Sequence, residues 1–171
     1  MNKMNEYFDD IGVGRPVCAM YVGLPGVGKS TFREGIMADE GMVILSTDDW
    51  IETAAAQEGT TYDAIWQRDI KKAEGAMRAD FAHAIDVGAD IIIDRTNLSA
   101  KKRRSIIAQL PANYYNMVFV FQTPPEGVWM QRLQARSGKL IPPLVLDSMQ
   151  DNFVIPTLEE GWDMICKVPA T

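Results

Sequence analysis

Histidine occurs once in the 171 residues, at His83, inside a long helical pattern with no second histidine and no cysteine near it, so no catalytic or zinc-binding role is expected of it. The two cysteines, Cys18 and Cys166, lie in apolar strand-like runs, where reduced buried thiols are expected and a disulfide is not. No stretch reaches the roughly 18 apolar residues of a membrane span. The opening segment "MNKMNEYFDDIGVGRP" lacks the apolar core of an export signal, so a cytoplasmic protein with no membrane partner is expected. Positive charge is also short: 17 Lys and Arg stand against 23 Asp and Glu, a net charge of -6. That balance argues against a protein that coats polyanions, although a local basic channel can still steer a nucleic-acid end.

Hydrophobic residues make up 47% of the chain, enough for one packed core over residues 1–171, with residues 1–15 expected as a loose leader. Apolar runs of strand length occur at 17–22, 42–46, 89–94, 116–122 and 164–168. Helical patterns fall between them: from Lys29 to about Ala38, from Thr47 or Asp48 as cap toward Ala56, and from Tyr62 to Val87 with Gly88 closing it. Others run from Ser99 as cap through a basic stretch, from Pro125 to Gly138, and over 142–153. Strands alternating with helices imply a mostly parallel sheet covered on both faces, with ligands at the C-terminal ends of the strands.

The first strand runs into "GLPGVGKST", in which Gly23, Gly28, Lys29 and Ser30 satisfy G-x-x-x-x-G-K-[ST] between a strand and a helix. Such a loop turns backbone N–H groups of Gly23, Gly26, Val27, Gly28 and Thr31 toward phosphate oxygens, and the helix behind adds its positive end. Lys29 supplies a compact charge for the β and γ phosphates of ATP, and the Ser30 hydroxyl is the expected Mg²⁺ ligand.

Nucleotide binding alone leaves switches, motors and kinases open. No Asn-Lys-x-Asp guanine reader follows the loop and the chain is short for a motor, which leaves a small kinase. A kinase needs a carboxylate to orient or deprotonate the attacking hydroxyl, and "STDDW" puts Asp48 and Asp49 at the end of the second strand, where one of them can instead cap the helix. It also needs cations over the transferring phosphoryl group. Arg132, Arg136 and Lys139 fall at i, i+4 and i+7, either a lid face or a solvated stripe. The cluster Lys101, Lys102, Arg103, Arg104 can grip a nucleic-acid backbone or face solvent. Trp50 and Trp66 can stack on an acceptor base or pack in the core.

The order "GLPGVGKSTF … STDDW … DRTNLSAKKR … RLQARSGKLIPPLVLDSM … FVIPTLEEGWDMI" resembles the 5′-hydroxyl kinase domain of polynucleotide kinases from Val17 to Pro169. The resemblance implies a P-loop NTPase-type three-layer α/β/α sandwich with a mostly parallel central sheet and a helical lid. It implies ATP and Mg²⁺ as cofactors, Asp48 as the general base for the 5′-OH of DNA or RNA, and Arg132 and Arg136 as lid arginines on the ATP phosphates. Asp94, Thr96 and Asn97 match a motif that faces the phosphates or metal. The family often carries arginines just before and three residues after its catalytic aspartate, where this chain has Thr47 and Ile51. Two other readings stand beside it: a kinase of a small metabolite or nucleoside, and a nucleotide-binding partner without phosphoryl transfer.

Overall fold

A computed structural model describes residues 14–36, 41–136 and 138–170. Residues 1–13 of the expected leader (1–15), residues 37–40, into which the first helical pattern extends to about Ala38, Ser137 and Thr171 lie outside these residues.

The strands are β1 (Val17–Val22), β2 (Val43–Leu45), β3 (Ile91–Ile93), β4 (Tyr115–Phe121) and β5 (Met164–Val168). Among the described residues they form one sheet in the order β2-β3-β1-β4-β5, and every pairing is parallel. Alternation splits the strand residues between two cores. Ala19, Tyr21, Met117 and Phe119 point to one face, where Phe32, Trp129 and Leu146 cover them. Met20, Val22, Val118 and Ile93 point to the other, beneath Phe81, Ala84 and Tyr114. Burial on both faces explains why these strands read as continuous apolar runs rather than alternating ones.

The helices are α1 (Lys29–Ile36), α2 (Thr47–Glu58), α3 (Tyr62–Asp86), α4 (Ala100–Ile107), α5 (Glu126–Gln134) and α6 (Pro143–Asp151). Helices α2 and α3 pack on each other through Ile51, Ala55, Ile65 and Ala73, joined by a turn in which Gly59 is left-handed at φ +63°. The result is an α/β/α sandwich of the P-loop NTPase type. Both cysteines are buried and free, and burial pushes the Cys18 thiol up to about 12. No helix among the described residues is long and apolar enough to cross a membrane.

Two details depart from the sequence reading, the cap of α2 and the end of α5, while Ser99 holds its expected cap position. The cap of α2 is Ser46, whose hydroxyl accepts from the Asp49 N–H at 3.1 Å, so neither Thr47 nor Asp48 serves as the cap. Ser99 stands at the N-terminus of α4 without a side-chain capping bond. Helix α5 ends at Gln134, so Arg136 and Lys139 belong to the segment after it and do not share a helical face with Arg132.

The chain leaves β1 toward β2 on one side of the sheet and leaves β3 toward β4 on the other. The crevice therefore opens between the C-terminal ends of β1 and β3. The loops after those two strands are stitched together by the Gly23 N–H donating to the Thr96 carbonyl at 3.0 Å.

Candidate active site

Two glycines of the loop, Gly23 and Gly26, are closely approached by neighbouring side chains. A Cβ on Gly23 would lie 3.0 Å from the Cβ of Phe121 and 3.1 Å from a Val27 methyl. Gly26 and Gly28 adopt left-handed φ values of +76° and +98°, which a larger residue resists. The Trp129 indole N–H donates to the Pro25 carbonyl at 2.7 Å and pins the loop against α5. Val27 is buried beneath the loop, while Ser30 and Thr31 line the cleft with Gly26, Gly28 and Lys29.

Lys29 folds back over the loop, its ammonium donating to the carbonyls of Gly23 at 2.9 Å and Leu24 at 2.7 Å. Burial lowers its pKa to about 8, against the opposing pull of the Asp94 carboxylate. The ammonium is thus poised on carbonyl oxygens that phosphate oxygens can replace.

Across the cleft, the first turn of α2 carries Asp48 and Asp49. The Tyr62 hydroxyl donates to Asp48 Oδ1 at 2.7 Å, and Asp48 Oδ2 lies 3.8 Å from both Arg136 and Lys139. Lys139 also pairs with Glu52 and sits 4.4 Å from the centre of the Tyr62 ring. Burial, then the Asp48 carboxylate, pushes the Tyr62 hydroxyl well above its ordinary range, so it stays a proton donor to that carboxylate. Arg132 lines the same cleft.

Arg33 of α1 ties the two acidic segments together, reaching Asp49 at 2.8 Å and Asp94 at 2.9 Å. Burial alone would lower its pKa, but the pairing with Asp49 and Asp94 holds it above the usual value. Burial raises the Asp94 carboxyl, with Arg33 and Lys29 opposing. Sequence reasoning missed Arg33 and Tyr62. The available signal for Arg33 was its place one helical turn after Lys29, on the same side of α1.

Thr96 and Asp94 line the cleft, but Asn97 does not face the phosphates as expected. It is buried, holds a left-handed φ of +46°, and its amide donates to the Tyr21 carbonyl at 2.8 Å, so it fixes the turn after β3 to the neighbouring strand. The basic cluster divides. Lys101, Lys102 and Arg104 are exposed, whereas Arg103 is fully buried, forked onto Glu160 at 2.6 and 2.7 Å, and donates to the carbonyls of Asn97 and Leu98 at 2.9 Å each. Arg103 therefore supports the turn behind the cleft and cannot grip a backbone. Trp50 packs against the α2–α3 core, while Trp66 lines the cleft. Thr47 and Ile51 are buried.

The cleft has a volume of about 1010 Å³, at the upper end of what one small ligand fills. Ser30 beside the phosphate positions fits a hard cation that keeps several waters and takes its other ligands from phosphates. Among the described residues, no cluster of three or more His, Cys, Asp or Glu could hold a metal by itself.

Solved structures of known proteins share this fold. A chain of the Pnkp1/Rnl/Hen1 RNA repair complex superposes with a TM-score of 0.62 at 19% identity, over 84% of this chain and 46% of that one. This chain therefore spans less than half the length of that relative. A chain from the PezAT toxin-antitoxin system of Streptococcus pneumoniae gives 0.64 at 14% identity, over 98% and 75% of the two chains. A gluconokinase from Sinorhizobium meliloti 1021 gives 0.51 at 17% identity, over 91% and 83%. These likenesses establish the fold, one shared by kinases of different acceptors. Residues 19–156, which carry the phosphate loop, the Asp48 turn and both arginines, match the AAA domain model, and the chain belongs to that family.

Proposed function

We propose that the chain is an ATP-dependent kinase that transfers the γ-phosphoryl group to a hydroxyl, with the 5′-OH end of DNA or RNA as acceptor. The observation that carries the kinase reading is the meeting of Asp48 with Arg136 and Lys139, each at 3.8 Å, in the cleft that also contains the Gly23–Ser30 loop. A protein that only holds a nucleotide needs the loop but not a carboxylate opposite it.

In this mechanism the loop amides and Lys29 hold the β and γ phosphates. Asp48 accepts the proton of the attacking hydroxyl as its oxygen bonds to the γ-phosphorus, and the β–γ bridging bond breaks to release ADP. Arg132 and Arg136 stabilise the charge spread over the equatorial oxygens. Asp94, Thr96 and, through Arg33, Asp49 border the phosphates. Mg²⁺, held by Ser30 and the phosphates, would supply charge neutralisation when bound.

The polynucleotide acceptor is supported by the motif order from Val17 to Pro169 and by the likeness to the RNA repair chain. One observation favours a small neutral hydroxyl compound instead. Thr47 and Ile51 are buried where the family often has arginines, and Glu52 and Asp63 line the acceptor side. Transfer of labelled γ-phosphate to a panel of 5′-OH oligonucleotides, nucleosides and sugars separates the two. Labelled oligonucleotides are expected. Labelling of nucleosides or sugars without oligonucleotides selects the second reading, and ATP binding without any transfer removes both.

A further inference from the structure

Beyond Asp48 the cleft continues along α3, and the groups lining it there are not those of a phosphate clamp. Glu52 and Asp63 bring negative charge to that side. Of the nearby cations, Lys139 is engaged by Glu52 and Asp48, and Arg95 is turned to Glu74 at 3.3 Å. The positions on α2 that could have carried a cation toward the acceptor, Thr47 and Ile51, are buried. An anionic group entering beside Asp48 would meet like charge at short range, and among the described residues Lys139, Arg136, Arg33 and Arg95 already face carboxylates.

What this wall does present is an aromatic surface. The rings of Tyr62 and Trp66, one helical turn apart on α3, are stacked at 5.8 Å with an interplanar angle of 27°. Tyr62 is held in place at both ends, by its hydroxyl bond to Asp48 and by the Lys139 ammonium over its ring. Trp66 is stacked on Tyr62 and remains 38% exposed within the cleft. The tryptophan is thus linked to the carboxylate through a single tyrosine, whose hydroxyl meets Asp48 and whose ring meets the indole.

We infer that Trp66 receives the terminal nucleobase of the acceptor, so that the cleft recognises the end nucleoside by stacking rather than its 3′-phosphate by a cation. The inference rests on the 5′-hydroxyl kinase reading and specifies how that acceptor is held. Stacking on an indole tolerates every base, because each has a π face, and adds no charge to an acidic wall. Recognition then ends at the first nucleoside: a 3′-phosphate contributes little, and added salt weakens acceptor binding only slightly.

The test compares kcat/KM for four acceptors: an oligonucleotide with an ordinary 5′-OH nucleoside, the same strand with an abasic 5′-OH sugar at its end, a nucleoside, and that nucleoside with a 3′-phosphate. The abasic end is expected to lose ~10-fold or more, and that ratio is expected to collapse toward unity in Trp66→Ala while Trp66→Phe largely restores it. Reading the ratio within each variant separates stacking from any general loss of activity or folding. Equal use of abasic and ordinary ends by the unaltered protein overturns the inference while leaving the kinase reading intact. So does a strong preference for the 3′-phosphate that disappears with salt. Labelling confined to sugars overturns the polynucleotide reading itself, and the inference with it.

Discussion

The hydroxyl of Tyr62 donates to Asp48 at 2.7 Å, which leaves the second carboxylate oxygen of Asp48 to face Arg136 and Lys139. One oxygen is fixed by a neutral donor that does not release its proton, and the other is shared between two cations of the segment after α5. In the proposed mechanism, triphosphate entering the cleft would compete for those cations, and so relieve the oxygen on which an acceptor hydroxyl would bond. Asp48 is in this way linked to the nucleotide without touching the loop.

Replacing Asp48 with asparagine keeps the shape of the side chain and an oxygen for Tyr62 but removes the basic group. Turnover is expected to fall by ~10²-fold or more, while nucleotide still binds at least as tightly, since Arg136 and Lys139 are released from the Asp48 charge. Steady-state kinetics alongside equilibrium binding of a labelled nucleotide decides the point. Near-normal turnover in the variant would remove Asp48 from the chemistry.

Arg33 stands between two carboxylates that the fold brings together from separate loops. Its side chain is 15% exposed and that of Asp94 only 9%, so water does little to replace the pair. Arg33→Leu is expected to cost about 1–3 kcal/mol, the penalty of leaving Asp94 without its partner. Because Asp94 carries that penalty, Arg33→Leu combined with Asp94→Asn should be more stable than the sum of the single variants predicts. Denaturant melts of the four proteins measure the coupling, and simple additivity would contradict a direct pair.

What could be read in advance follows physical locality. The phosphate loop, the apolar strands and the position of Asp48 are encoded in contiguous residues, because a strand, a tight glycine turn and a helix start are each set within one short stretch. The roles of Arg33, Tyr62, Asn97 and Arg103 depend on partners between 14 and 76 residues away, and no local pattern announces them. Arg103 is the instructive case. Its neighbours Lys101, Lys102 and Arg104 are exposed, and composition alone does not distinguish the one member of the run that points inward. The stretch "PTLEEGW" supplies the answer, since its Glu160 is the acid that makes an interior arginine tolerable.

That buried pair makes an asymmetric prediction. Arg103→Met leaves the Glu160 charge unpaired and also frees the carbonyls of Asn97 and Leu98, whereas Glu160→Gln keeps both carbonyl bonds. The arginine variant is expected to lose about 3–5 kcal/mol, and the glutamine variant less. Burial raises the Glu160 carboxyl but its bonds from Arg103 outweigh that and hold it below the ordinary value. A depressed carboxylate contributes stability above its unfolded pKa, which is lost as pH falls through the folded one, so the gap between the unaltered protein and Glu160→Gln should narrow in acid. Thermal melts across the acidic range provide the comparison.

Lys29 gives a pH dependence of the opposite sense. In the free protein its pKa is about 8, lowered by burial, and only the charged ammonium attracts phosphate. Bound triphosphate favours that charged form and must raise the pKa in the complex. Nucleotide affinity is therefore expected to be flat below pH 8 and to fall as pH rises through it, by up to about tenfold per unit until the bound-state pKa is reached. ATP's own phosphate ionisation lies below this window and does not confuse it. Calorimetric titrations in buffers of different ionisation enthalpy should detect proton uptake on binding at about pH 9 and little at about pH 7. In Lys29→Met both the uptake and the slope should vanish, leaving weak, pH-independent binding. A slope that persisted in that variant would assign the titration to another group and leave Lys29 charged throughout.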